Sequence, residues 1–105
     1  MSNWVPACAV GDIDEEDVVP FEHAGTEYAL YRLEGDEFYA SQAHCTHEQE
    51  VLCDGLVMDG VIECPKHNGR FDVRTGKALG APVIVDLRTF PAKVVDGEVH
   101  VDLDG

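Results

Sequence analysis

Four residues near the middle of the chain carry side chains that bind metals in proteins. They form two pairs, Cys45 with His47 in "CTH" and Cys64 with His67 in "CPKH". Structural zinc sites usually pair like with like, two cysteines and then two histidines. Each pair here contributes one thiolate and one imidazole. That pattern favours two irons of unequal ligation, one bound by both cysteines and one by both histidines. A single zinc ion remains the alternative.

The segment between the two pairs predicts how they meet. "LVMDGVIEC", residues 56–64, places Asp59-Gly60 between two apolar pairs, which is a strong signal for a tight β-hairpin. The two ends of a hairpin lie side by side. We therefore expect the loop that carries Cys45 and the loop that carries Cys64 to come together and enclose a metal group between them.

The rest of the chain also reads as short strands joined by turns. Residues 27–35 and 36–42 predict one hairpin through Gly35, and residues 89–103 predict another through Asp96-Gly97. In the last arm, valines and a leucine alternate with polar residues, so Glu98, His100 and Asp102 should face water. No segment of 11 or more residues has a helical period. The pattern indicates an all-β protein, and residues 1–105 are predicted to form a single domain.

Composition and charge exclude several classes of partner. The net charge is −14, from 21 acidic and 7 basic residues, so nucleic acid and anionic lipid should be repelled. Residues 1–65 hold 15 of the acids and one base, Arg32. This asymmetry indicates either a solvated face or a surface that attracts a basic partner. No apolar run approaches the roughly 20 residues that a membrane helix needs.

Smaller features support an intracellular setting. The N-terminus, "MSNWVPACAV", lacks the basic start and apolar stretch of a secretory signal, so a cytoplasmic location is expected. Cys8 and Cys53 fall in no ligand pattern and are expected to be unligated thiols. Four bases lie within twelve residues and indicate either a solvated loop or a local positive patch. They are Lys66, Arg70, Arg74 and Lys77.

The motifs carry a family resemblance over nearly the whole chain. With "CTH" at 45–47 and "CPKHNGRFDVRTGKALGAPV" at 64–83, the sequence resembles the Rieske proteins. Among them it is most similar to the ferredoxins of bacterial aromatic-ring dioxygenase systems, such as those for naphthalene and biphenyl. The resemblance implies three small antiparallel sheets and one [2Fe–2S] cluster at the tip of two loops. It also implies that Cys45 and Cys64 bind the inner iron, and that His47 and His67 bind the outer one.

The same resemblance implies an electron carrier rather than an enzyme. The expected partners are a flavoprotein reductase that uses NAD(P)H and a terminal Rieske non-haem iron oxygenase. The chain has no room for the catalytic domain of an oxygenase, and its other histidines form no pattern for a second iron site. The small Rieske-type subunit of a nitrite reductase is the main alternative. A zinc-binding interaction module is a less favoured one.

Four positions differ from high-potential Rieske proteins. Glu50 and Lys66 stand where those proteins have two cysteines that form a disulfide, so that disulfide cannot form here. Gly69 and Phe71 stand where those proteins have hydroxyl groups that hydrogen-bond to the cluster. Such hydrogen bonds stabilise the reduced state and raise the potential. Their loss predicts a reduction potential of roughly −150 mV, at the low end of the Rieske range.

Overall fold

The computed structural model describes residues 3–45, 51–65, 69–80 and 85–104. Within these residues the regular structure is almost entirely β. The strands are β1 (Trp4–Ala9), β2 (Asp17–His23), β3 (Thr26–Leu33), β4 (Glu37–Gln42), β5 (Leu56–Met58), β6 (Val61–Glu63), β7 (Arg70–Asp72), β8 (Thr89–Phe90), β9 (Ala92–Val95) and β10 (Glu98–Asp102). The helical elements in this part are two 3₁₀ helices of three residues each, Val10–Asp12 and Leu52–Asp54.

The strands form three sheets, and every strand pair is antiparallel. The sheet orders are β1-β10-β9, β2-β3-β4-β8 and β5-β6-β7. This confirms the predicted all-β fold of three small antiparallel sheets. In the described part of the chain, no helix is long and apolar enough to cross a lipid bilayer.

Turn chemistry explains why the predicted hairpins form. Asp59 and Gly60 have φ angles of 54° and 77°, and Asp96 and Gly97 have 51° and 78°. Both residues of such a turn need positive φ, which aspartate tolerates and glycine adopts freely. The β3–β4 hairpin turns through Gly35, as predicted. Strand β2 and its turn to β3 are not among the predicted elements.

Two buried clusters of side chains hold the sheets together. One cluster lies under the first and second sheets and includes Val5, Phe21, Leu30, Val99 and Val101. The other joins the second sheet to the β5–β6–β7 sheet. Its members are Val18, Ala29, Tyr31, Leu33, Cys45, Leu52, Val57, Ile62, Cys64, Phe71, Val73 and Leu87. This second group, called the cysteine cluster below, contains two of the four predicted ligands.

The prediction that Asp102 faces water is wrong. Val99 and Val101 are buried as the alternation predicts, but Asp102 is also only 5% exposed. Its carboxylate accepts hydrogen bonds from the backbone N–H of Asn3 at 2.8 Å and of Asp104 at 3.1 Å. Strand β10 ends at this point, and the carboxylate accepts hydrogen bonds from backbone N–H groups that have no partner within the sheet.

Candidate metal centre

Cys45 and Cys64 are both buried in the cysteine cluster, and each begins a loop. Cys45 follows the end of β4 and Cys64 follows β6 directly. Their residues are 3% and 1% exposed, and both pack within the cysteine cluster. The structure therefore places in one buried cluster the two cysteines that the spacing predicts to act as a pair. His47 and His67 lie outside the described residues.

The loop that begins at Cys45 is closed at its base by backbone pairing. His44 and Val51 form an antiparallel bridge across it. The N–H of Leu52 donates to the carbonyl of Ala43 at 2.8 Å, one pair further from the loop. These contacts fix where the chain leaves and re-enters the sheet, so Cys45 is held at the first position of a tied loop.

The loop that begins at Cys64 is closed in the same way. Glu63 and Arg70 are the last paired residues of β6 and β7. The N–H of Cys64 donates to the carbonyl of Gly69 at 2.7 Å. Gly69 is buried, although most glycines in turns of this chain are exposed. Both cysteines of the predicted ligand set thus sit at the backbone-paired base of a loop.

A glycine brings the two loop bases into contact. Gly55 follows the 3₁₀ helix that leaves the first loop, and a Cβ at this position would overlap the carbonyl oxygen of Glu63. Glu63 immediately precedes Cys64. Glycine is needed here because two backbones touch, a requirement that the sequence alone does not reveal.

The opposite end of the β5–β6–β7 sheet is fastened to the rest of the fold. The N–H of Asp59 donates to the Glu16 carboxylate at 3.0 Å. The guanidinium of Arg74 packs against Gly60 and donates to both carboxylate oxygens of Glu37, at 3.0 and 3.3 Å. The hairpin that positions Cys64 is therefore held at its turn as well as at its loop end.

The described residues of the cysteine cluster are mostly apolar, and a hydrogen-bonded pair of hydroxyls involves one of them. Phe71, on β7, and Tyr31, on β3, are both fully buried in the cysteine cluster. The hydroxyls of Tyr31 and Ser41 lie 2.8 Å apart, and the Ser41 hydroxyl also lies 2.9 Å from the carbonyl of Gln42. Burial raises the pKa of Tyr31, so this phenol stays protonated at neutral pH.

The other two cysteines have the environment of unligated thiols. Burial, followed by the nearby carboxylate of Asp54, raises the pKa of Cys53 to about 11. Burial and Asp12 raise the pKa of Cys8 as well. A thiol must lose its proton to bind a metal or act as a nucleophile, and these surroundings oppose that loss. Both residues are therefore poor ligand candidates, as the sequence pattern predicts.

Two of the four bases that indicate a solvated loop or a positive patch are paired with glutamates. Arg70 pairs with Glu63 at 3.2 Å, and Arg74 pairs with Glu37. Lys66 lies outside the described residues, as does Glu50. The charge of each of these two arginines is therefore partly neutralised by a neighbouring glutamate. The described residues contain no group of three or more His, Cys, Asp or Glu side chains that could hold a metal ion.

Similarity to known proteins shows the family of this chain. The family model of the Rieske [2Fe–2S] domain matches residues 3–91. The chain belongs to the Rieske [2Fe–2S] family. It is 47% identical over 100 residues to the ferredoxin component of the naphthalene 1,2-dioxygenase system of Pseudomonas putida, with 95% of each chain covered.

Solved structures agree with this assignment. One match is a chain from the complex of reduced oxygenase and oxidized ferredoxin in carbazole 1,9a-dioxygenase. Its TM-score is 0.87 and its sequence identity is 37%. The match covers 94% of this chain and 92% of that one. A putative NADH-dependent nitrite reductase small subunit from Mycobacterium tuberculosis also matches, with a TM-score of 0.87, 24% identity and coverage of 97% and 96%. At that identity the likeness shows the shared fold alone.

The residues present fit a Rieske-type [2Fe–2S] cluster. Two buried thiol side chains of one cluster stand at the bases of two loops, and each loop sequence supplies a histidine two or three residues further on. The family assignment favours a [2Fe–2S] cluster over the alternative of a single zinc ion. The relatives are ferredoxin components, that is, electron carriers, which confirms the prediction that this chain is not itself the enzyme.

Proposed function

We propose that this protein carries single electrons from an NAD(P)H-dependent flavoprotein reductase to a terminal Rieske non-haem iron oxygenase that acts on aromatic compounds. The observation that carries the proposal is the 47% identity to a naphthalene dioxygenase ferredoxin component over 95% of both chains. The carbazole dioxygenase structure, in which a related ferredoxin is in complex with its oxygenase, supports an oxygenase as the partner. We also propose that the protein is cytoplasmic. Residues 1–105 are proposed to form one domain.

The proposed ligands are Cys45 and Cys64 for the inner iron and His47 and His67 for the outer iron. When bound, the cluster supplies a centre that gains and loses one electron. The burial of both cysteines keeps water from the thiolate side, while the backbone pairs His44–Val51 and Glu63–Arg70 each close the base of one loop.

The charge of the chain suits brief encounters with basic partners. A net charge of −14 raises the rate at which a basic surface finds this protein, and salt screens the effect. A carrier must bind two partners in turn and release each one. Attraction that raises the association rate without a large buried interface serves that requirement.

Reconstituted electron flow tests the proposal. Purified protein is combined with NADH, a flavoprotein reductase of such a system and a terminal oxygenase, and product is measured with an aromatic substrate. Product should form only when all components are present, and Cys45→Ser protein should not replace the unmodified chain. Cluster-loaded protein that accepts no electron from a reductase, or passes none to an oxygenase, would show that the proposal is wrong.

A parallel assay addresses the nitrite reductase alternative. The same protein is added to the large subunit of a nitrite reductase that lacks its small subunit, and nitrite consumption is measured. No restoration is expected, because the likeness to the nitrite reductase subunit extends to the fold alone.

A further inference from the structure

The outer face of the β5–β6–β7 sheet carries exposed apolar side chains. Leu56 and Met58 on β5 are each 55% exposed, and Leu79, beyond β7, is 48% exposed. Together with Val61 they line a shallow groove of about 430 Å³. The alternate residues of the same strands, such as Val57 and Ile62, point inward and are buried in the cysteine cluster. The outer face of this sheet therefore carries an apolar patch beside charged residues, and a patch of this kind often marks a binding surface.

Strand register places this groove beside the second ligand loop. Leu56 lies opposite Glu63, and Glu63 lies opposite Arg70. The N–H of Leu79 donates to the carbonyl of Arg70 at 3.0 Å, which adds Leu79 to the same row. This row crosses the sheet immediately before Cys64. A molecule bound in the groove would therefore lie next to the loop that carries Cys64 and His67.

The charges around the groove favour a basic occupant. Glu63 and Arg70 both line it, and they pair with each other at 3.2 Å, so their charges largely cancel. Asp59 also lines the groove, and its carboxylate gives the rim a net negative charge. The surface thus combines an apolar floor with one acidic residue, Asp59, at its rim, within a chain of net charge −14.

We propose that this groove, lined by Leu56, Met58, Val61 and Leu79, is a docking site for an apolar projection of the terminal oxygenase that has lysine or arginine beside it. The proposal rests on the proposed function, because it takes the oxygenase as the electron acceptor. Apolar contact would hold the acceptor beside the second ligand loop, and the acidic rim would attract and orient it.

A double variant on the groove tests the proposal. Leu56→Gln/Met58→Gln removes the exposed apolar groups of β5, and Val94→Gln/Val95→Gln on β9 is the matched control, because those valines are 47% and 39% exposed and do not line the groove. Each protein is first checked for iron, sulfide and midpoint potential, which both variants should retain. The concentration that half-saturates the oxygenase and the rate of reduction by the reductase are then measured separately.

The groove variant should need about tenfold more protein to half-saturate the oxygenase, a size typical for loss of a central apolar contact. Its reduction by the reductase, and both properties of the control, should stay within about twofold of the unmodified protein. Asp59→Asn, which keeps a residue that tolerates positive φ, should reduce the dependence of oxygenase half-saturation on salt.

Three results would overturn the docking site while the carrier function stands. One is a groove variant that serves the oxygenase as well as the β9 control does. The second is an equal loss toward reductase and oxygenase, because the groove would then not be specific to the oxygenase. The third is a loss that tracks self-association of the protein in sedimentation experiments, since the occupant would then be a second copy of this chain. If the unmodified protein passes no electrons to any oxygenase, the proposed function fails first, and the docking site fails with it.

Discussion

The α-carbon of Gly55 lies against the backbone carbonyl oxygen of Glu63, so closely that a Cβ on residue 55 would overlap that oxygen. Gly55 has φ −90° and ψ −169°, an extended conformation open to any residue. Space, and not backbone conformation, is therefore the reason for glycine. The contact joins the segment after the first ligand loop to the strand that leads to Cys64.

Gly55→Ala should weaken both the fold and the metal centre. The added methyl group must push two backbones apart, and overpacking of this kind costs about 1–3 kcal/mol. We expect the free energy of unfolding to fall by that amount and the iron and sulfide content per chain to fall with it. Chemical unfolding and elemental analysis measure the two effects.

Gly11→Ala is the control for that substitution. No atom lies within 4 Å of a Cβ built at Gly11, so the change should alter stability by no more than about 0.5 kcal/mol. Equal stability and equal iron content in the two variants would contradict the role assigned to the Gly55–Glu63 contact.

Much of the fold could be predicted because its turns are encoded locally. Asp59-Gly60 and Asp96-Gly97 have the positive φ angles that their residue types favour, and the flanking residues alternate. Strand β2 escaped prediction because its turn runs through Ala24 and Gly25, and alanine gives no turn signal although it adopts φ 53° here. Asp102 was misplaced because alternation says nothing about donors from a distant segment such as Asn3.

The sequence predicts a set of candidate ligands but not the contacts that support them. The spacing of Cys45 and Cys64 around a hairpin is a local pattern, and the structure places both residues in one buried cluster. The Gly55 contact and the Arg74–Glu37 pair join residues from separate parts of the chain. Nothing in the sequence near either residue marks its partner.

Cysteine substitutions separate ligands from bystanders. Cys45→Ser and Cys64→Ser should abolish the visible absorption of the cluster and the bound sulfide, because a serine hydroxyl is a far poorer iron ligand than a thiolate. Cys8→Ser and Cys53→Ser should retain both, since their surroundings keep these thiols protonated. Loss of the cluster in Cys53→Ser, with the protein still folded by circular dichroism, would contradict the proposed ligand set.

The reduction potential should lie at the low end of the Rieske range, roughly −150 mV. Phe71 is fully buried in the cysteine cluster and has no hydroxyl, and Gly69 has no side chain. Neither can donate a side-chain hydrogen bond that stabilises the reduced state. Protein-film voltammetry measures the midpoint, and Phe71→Tyr should shift it upward. A midpoint above zero in the unmodified protein would contradict this prediction.

Tyr31→Phe should cost stability without removing the cluster. The substitution deletes one partner of the buried hydroxyl pair with Ser41, a loss worth about 1 kcal/mol. Ser41 keeps the carbonyl of Gln42 as a partner, so the penalty should not be larger. The control is Tyr28→Phe, because the ring of Tyr28 packs edge-on against Phe90 at 5.2 Å and its hydroxyl has no hydrogen bond among the described residues. Thermal unfolding of both cluster-loaded variants compares them.

The Arg74–Glu37 pair should show itself in an acid titration. Hydrogen bonds from Arg74, and then from the Tyr39 hydroxyl, lower the pKa of Glu37 below its ordinary value of 4.5. A carboxyl with a lowered pKa in the folded state stabilises that state above its unfolded pKa, and the contribution disappears as pH falls through the folded pKa. Stability attributable to this pair should therefore be complete above about pH 5 and decline below it.

NMR can follow the pKa of Glu37 in protein that is made diamagnetic by placing gallium where iron would bind. This pKa should rise in Arg74→Gln and rise less in Tyr39→Phe. Arg88→Gln is the matched control, because the Arg88 guanidinium stacks on the Phe90 ring at 4.9 Å. That variant should leave the Glu37 titration unchanged. Both side chains of the Arg74–Glu37 pair are about half exposed, so high salt should diminish the shift by screening. A Glu37 pKa that is the same in Arg74→Gln as in the unmodified protein would show that the guanidinium does not hold the turn of the β5–β6 hairpin in solution.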